Sequence, residues 1–327
     1  MQYQRKVLFG LVLTVCLLSG PTKAVAEPLF GYEIETDVVY GQGKVAPDGK
    51  EQMRDLKMDV YTPTNAGNSP WPGVVYVHGG AYHRGGRRLP PFQEAGAVHA
   101  RPEDWARLLT PLGYICFVIE YRLAPELPQP DHMPATGNLL PVDKVVTPPG
   151  IARTNFVRRA MSLPEITDET AILAWNAAMA GAEDTAKAVR YIHDNAEALG
   201  VDPDRIALGG HSAGAGNVLN ATYGLRASVA AAFPLSAPEL MIDWSKTDLT
   251  GLPPALVVAS QFDIDAVLEA LPDTTDNLRG AGVETSLAWV PGFPHFYPTG
   301  AVSLGDDGTR MSIGDRVAKF LDKHLKQ

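Results

Sequence analysis

Polarity along the chain changes period repeatedly. Phe30–Tyr40 and Leu56–Tyr61 alternate apolar and polar side chains and read as antiparallel edge strands, each with one wetted face. Gly73–Val77 and Ile115–Glu120 are short unbroken apolar runs rich in β-branched residues, as expected of strands covered on both faces. Ile206–Gly209, Ala230–Leu235, Ala255–Ser260 and Glu284–Val290 supply four more strand candidates. Helical spacing falls between them. Thr185–Leu199 gathers Ala, Val and Ile on one side and stops at Gly200. Ala215–Tyr223 is compatible with a helix, Ala266–Gly280 carries a helical pattern interrupted by Pro272, and Ser312–Leu325 is the last such run. Repeated strand–helix units predict an α/β fold: a mostly parallel central sheet flanked by helices on both faces.

One stretch breaks the rhythm. Pro125 to Pro164 holds eight prolines in forty residues, with few continuous apolar faces. An irregular segment of that length inside a compact domain is usually functional or disordered. It reads either as a surface excursion or as a cover folded over one end of the sheet.

Charge and composition remove several classes. With 28 basic and 37 acidic side chains the net charge is −9, which lacks the basic stripe that a nucleic-acid binder needs. Two cysteines rule out a disulfide-dense scaffold and any multi-cysteine zinc or iron–sulfur site. No H-E-x-x-H or comparable spacing occurs, so neither a metal nor another cofactor is expected. Arg5 and Lys6, the apolar run Val7–Leu18 and the small residues Ala24-Val25-Ala26 make up the three parts of a secretory signal. At about twelve residues the run falls short of the ~20 that span a bilayer, so no stable membrane anchor is expected after its removal. Cleavage after Ala26 would remove Arg5, Lys6 and Lys23 but no acid, moving the net charge from −9 to −12 and sending a periplasmic or secreted protein out with a single cysteine. That residue, Cys116, sits in an apolar strand and is expected to pack rather than react. Residues 27–327 then form one domain with an insertion at about 127–178.

Candidate chemistry starts at Gly210-His211-Ser212-Ala213-Gly214, directly after one predicted strand and before a helix-compatible run. A sharp strand-to-helix turn exposes the serine oxygen, and glycines on either side keep the turn free of Cβ clashes. The helix that follows aims its first amides at the same spot, so the Ala213 N–H can meet negative charge. A phosphate loop is the competing reading, but no Gly-Lys-Ser/Thr follows and G-x-G-x-x-G spacing is absent. A second glycine pair, in His78-Gly79-Gly80-Ala81-Tyr82, also ends a strand; there, backbone N–H groups of Gly79 and Gly80 can point into a site unobstructed by side chains.

Together with Tyr121-Arg122-Leu123-Ala124-Pro125-Glu126, the HGGAY and GHSAG segments resemble those of the hormone-sensitive-lipase-like carboxylesterases and acetyl esterases of the α/β-hydrolase fold. That resemblance runs from the Met58–Tyr61 strand to the last helix. It implies a serine nucleophile, an acid and a histidine in that chain order. Ser212 is the nucleophile. Asp263 matches the acid's position just past a strand end, with Asp265 in reserve, and Ser260 stands where the family usually has glycine. His295, in Pro291–Phe296 after the next strand, resembles the family's base. Gly79, Gly80 and Ala213 would form the oxyanion hole, and Tyr82 and His211 would touch substrate. His78 is expected to brace the oxyanion loop, while His83, His99, His132, His193 and His324 are expected on the surface or in packing.

Hydrolysis of small or medium carboxylic esters is the activity implied, with the ester as a small-molecule partner. A serine peptidase or amidase on the same fold is the first alternative and a non-catalytic binding module the second, although the latter would be expected to have lost a triad member. Arg84, Arg87 and Arg88 follow the oxyanion loop closely enough to meet an anionic substrate group, unless they are simply solvated. Residues from about Leu127 to Trp175 are expected to wall the pocket, with Phe156 and Trp175 as apolar contacts or packing residues.

Overall fold

The computed structural model describes residues 29–64, 70–133, 137–238, 241–248 and 250–326; the proposed signal sequence lies outside them. Ten strands form one sheet: β1 (Gly31–Val45), β2 (Gln52–Thr64), β3 (Trp71–Val77), β4 (Ile115–Ile119), β5 (Val201–His211), β6 (Ala231–Leu235), β7 (Ala255–Phe262), β8 (Thr285–Pro294), β9 (Val302–Gly305) and β10 (Arg310–Ser312). Their spatial order is β1-β2-β4-β3-β5-β6-β7-β8-β9-β10. From β4 to β8 the neighbours run parallel, while β1, β2, β9 and β10 are antiparallel additions at the two edges. Val74–Val77 and Ile115–Ile119 are buried throughout, which is why they read as unbroken apolar runs.

The principal helices are α1 (Pro102–Leu109), α2 (Pro148–Ala160), α3 (Ala171–Asp194), α4 (Ala213–Leu219), α5 (Asp265–Gly280) and α6 (Ile313–Leu325). Two apolar clusters fill the two faces of the sheet, with Cys116 buried in one of them and its thiol pushed up to about 12 by desolvation. Helix α3 begins fourteen residues before the predicted Thr185, because its first half is an alanine-rich stretch buried over α4. Small side chains are required there: a Cβ at Gly181 would come 2.7 Å from the Asn217 amide. Helix α5 passes through Pro272 without ending. Pro272 lacks an N–H to return to the preceding turn, and the Thr275 hydroxyl donates to the carbonyls of both Leu271 and Pro272 at 2.9 Å.

The proline-rich segment is partly helical. Pro148 and Pro149 occupy the first positions of α2, where a missing N–H costs nothing. A third cluster, including Leu139, Trp175, Met179 and Met241, packs this segment onto the domain. Leu140 N–H donates to the Met241 carbonyl at 2.9 Å, next to a bridge between Leu139 and Ile242. The segment therefore lies folded over one end of the sheet, in contact with the loop after β6.

The Tyr121–Glu126 motif is a brace. Buried Arg122 grips Asp184 of α3 through Nε at 2.9 Å and Nη2 at 2.8 Å, and its Nη1 donates to the Lys44 and Gln129 carbonyls. Tyr121 stacks on His78 with ring centres 4.4 Å apart, and its hydroxyl donates to the His78 carbonyl. Ala124 N–H donates to the Tyr82 carbonyl at 2.7 Å. One motif thus ties β1, α3 and the His78–Tyr82 loop together.

Candidate active site

The loops that leave the carboxyl ends of β3, β5, β7 and β8 converge, the usual place for a site on a parallel sheet. Ser212 lies at the turn between β5 and α4 with φ 58° and ψ −126°, a left-handed backbone that an L residue adopts only at a cost. Close packing keeps it there: Gly210 and Gly214 face one another across the turn, and a Cβ on Gly214 would run into the Val77 carbonyl. The Ser212 N–H donates to the Leu235 carbonyl at 2.9 Å, anchoring the turn to β6.

Ser212 Oγ is 2.7 Å from His295 Nε2, and His295 Nδ1 is 2.5 Å from Asp263 Oδ1. Asp263 in turn receives the Ser236 hydroxyl at 2.5 Å, the Ser260 N–H at 3.1 Å, the Ser260 hydroxyl at 3.0 Å and the Ile264 N–H at 2.9 Å. Burial alone would raise the Asp263 pKa. The adjacent His295 and these donors outweigh it and hold the carboxyl well below the usual carboxylate range. Ser260 therefore supplies two donors to the acid. Ser236 supplies another, and sequence reasoning missed it because β6 carries no motif. Asp265 opens α5 instead, where a carboxylate suits the helix N-terminus.

Gly79 packs directly on the serine: a Cβ there would lie 2.8 Å from the His211 carbonyl and 3.0 Å from Ser212 Cβ. Gly80 has φ +124°, and a Cβ would land on the Arg84 carbonyl. Ala81 and Tyr82 continue the loop at φ 54° and 59°, so HGGAY holds three consecutive left-handed residues beside the serine. Ala213 is the first residue of α4, and its N–H has no carbonyl one turn earlier within that helix. Gly80→Ala should lower kcat by about 10²-fold or more, because the loop must move to admit the methyl group. Gly41→Ala, where a Cβ meets nothing within 4 Å, should leave kcat unchanged in the same assay.

Ser212 opens into a cleft of about 740 Å³, mouth included. Its lining is mostly apolar, with Tyr82, Trp175, Ala178, Pro238 and Met241 alongside Val145–Thr147, Gly150, Arg153 and Thr154. Tyr82 and Trp175 are thus both at the cleft. His211 is not. Its ring is buried behind the site with Nε2 2.9 Å from the His295 carbonyl, because the strand direction sends its side chain away from the serine's. Phe156 points outward from α2, nearly half exposed, and does not line the cleft. Arg87 and Arg88 turn the other way, into an ion cluster with Asp37 and Asp59 that Glu120 joins through Arg87. Both guanidiniums hold the Asp37 carboxyl down at about 2. His78 braces its loop through Nδ1 and the Gly79 carbonyl, 2.8 Å apart. His99 is buried against His211 and Phe296. Among the described residues, no three His, Cys, Asp or Glu side chains are grouped to hold a metal ion, and no helix is long and apolar enough to cross a membrane.

Residues 173–231, from α3 through the Ser212 turn to the start of β6, match the BD-FAE family. Carboxylesterase NlhH of Mycobacterium tuberculosis (strain CDC 1551 / Oshkosh) is 28% identical over 171 residues, covering 52% of this chain and 34% of that protein. The aligned region thus spans about a third of the length of the curated relative. Thermogutta terrifontis esterase 2 phosphorylated by paraoxon superposes with a TM-score of 0.53 at 16% identity, over 91% of this chain and 94% of that one. A truncated carbohydrate esterase from gut microbiota gives 0.54 at 14% identity, over 93% and 100% of the two chains. The chain has the α/β-hydrolase fold.

Proposed function

We propose that the protein is an exported serine carboxylesterase that hydrolyses small or medium esters through an acyl-enzyme. The observation that carries the reading is the buried hydrogen-bonded row Ser212–His295–Asp263 opening onto an apolar cleft. Neutral His295 takes the Ser212 proton through Nε2 as Oγ attacks the ester carbonyl, and Asp263 fixes the ring and stabilises the cation that forms. Gly79, Gly80 and Ala213 N–H groups receive the negative oxygen of the tetrahedral intermediate. His295 then passes its proton to the departing alkoxide, which leaves as the alcohol. A water molecule, deprotonated by the same nitrogen, attacks the acyl carbonyl and releases the acid with Ser212 restored. The relatives named carboxylesterase or esterase favour the same chemistry.

Purified protein should turn over p-nitrophenyl acetate with a kcat of roughly 1–10³ s⁻¹, be labelled by a serine-directed fluorophosphonate, and leave a dipeptide p-nitroanilide uncut. Anilide cleavage at a comparable rate would replace this reading with a peptidase, and absence of labelling would remove the nucleophile. Export is the second half of the proposal. N-terminal sequencing of protein recovered from outside the cytoplasm should begin at Glu27, and recovery of the intact N-terminus from the cytoplasm would refute it.

A further inference from the structure

Among the described residues lining the cleft with Ser212, Arg153 alone is charged. It lies on the second turn of α2, between Gly150 and Thr154, which also face the cleft. A guanidinium in a mostly apolar wall is costly unless it meets an anion. Among the described residues its acid is Glu94, with Nη1 and Oε1 2.7 Å apart. That is one contact, not the two-pronged pairing a guanidinium can make, so further donors remain for a second carboxylate. Arg84 adds a second guanidinium nearby. It stacks 4.5 Å over Phe92, and its Nε is buried with no hydrogen-bond partner among the described residues. Burial lowers its pKa first, the charge of Arg153 lowers it further, and Glu94 partly opposes both. Glu94 thus pairs directly with Arg153 alone, while Arg84 lies close enough to feel both charges, in a chain whose net charge is −9.

We propose that the cleft selects esters carrying a second, ionised carboxyl group, which Arg153 receives in place of Glu94 or beside it. The proposal rests on the esterase reading of Ser212 and names its substrate class. The chemical step is unchanged, since the extra carboxylate only binds. Thr147 and Thr154 line the cleft as well, so Arg153 is not its only polar side chain there. In the free protein, Glu94 keeps Arg153 paired.

Two substrate pairs test it by kcat/KM. Monoethyl adipate against ethyl hexanoate places the charge on the acyl side; 4-acetoxybenzoate against 4-acetoxybenzamide places it on the alcohol side. In at least one pair the wild-type protein should favour the anion. Arg153→Met should lower that anion-to-neutral ratio by about tenfold or more, and Glu94→Gln should raise it. Both substitutions break the same ion pair, so a merely structural role would move the two variants together. The proposal is overturned if the ratio shifts in the same direction in both variants or in neither, or if the wild-type protein favours the neutral ester in both pairs. No turnover of any of the four esters by protein that still hydrolyses p-nitrophenyl acetate would also overturn the proposal, whereas no turnover of p-nitrophenyl acetate either would overturn the esterase reading itself.

Discussion

Ser212→Ala should reduce kcat/KM for p-nitrophenyl acetate by about 10⁴- to 10⁶-fold, with the thermal midpoint moving by no more than about 3 °C. The size of the loss follows from the row of three groups. Without Oγ, His295 has nothing to deprotonate for attack, and Asp263 then orients a base with no substrate-directed partner. What remains is the cleft and its backbone donors, which bind an ester and polarise its carbonyl without acylation. The small effect on stability follows from the backbone. Serine and alanine both carry a Cβ, so the left-handed strain at φ 58° is the same in either. The anchor to β6 is the residue's N–H, which the substitution keeps. Activity within tenfold of wild type would show that another group attacks the ester. A large drop in the melting midpoint would show that the hydroxyl holds the turn together.

Features set by local chemistry were open to sequence reading. Strands buried on both faces announce themselves by unbroken apolar runs, and a serine between glycines at a strand end has few other uses. The preference for Asp263 over Asp265 comes from its match to the acid position of the resembled family; in the structure Asp263 meets His295, while Asp265 opens α5. Features that depend on distant partners were not open. Arg87 and Arg88 read as free cations because Asp37 and Asp59 lie far away along the chain, and only the pairing of β1 with β2 brings them near. Helix α2 was hidden by its own composition: two prolines and a glycine at its start mimic a loop, and its apolar residues do not fall on one face. The β9–β10 hairpin is four and three residues long, with a polar turn at Asp306–Gly308, too short to show a period. Ser236 and Arg153 carry no motif. They acquire meaning only through what β6 and α2 place beside them.

Acid should begin to destabilise the protein above the pH at which ordinary carboxylates are protonated. His78, His99 and His211 are each almost fully buried within the site's supporting shell. Desolvation lowers His78 to about 4 and His99 to about 3, and it holds His211 well below the ordinary histidine value. For His211 the nearby His295 and His99 add to that effect, and besides the Nε2 contact with the His295 carbonyl its buried Nδ1 has no partner among the described residues. In the unfolded chain all three titrate near 6.5. The folded values are depressed, so the stability is complete above about pH 6.5 and is lost as pH falls toward the folded values. Between those limits the unfolded state binds protons that the native state refuses. Each such histidine costs about 1.4 kcal/mol per pH unit, so three cost roughly 4 kcal/mol per unit. Against a typical total of about 5–15 kcal/mol, two units suffice to bring the fold near its midpoint. Asp263 adds nothing in this window, because its own contribution fades only below the ordinary carboxylate range. Urea midpoints measured at pH 7, 6 and 5 should therefore fall steeply, and His99→Phe should flatten the slope by about a third. A midpoint that stays constant from pH 7 to 5 would mean that these rings reach solvent or share their protons. In that case the packing of His99 against His211 and Phe296 could not be what keeps the back of the site dry.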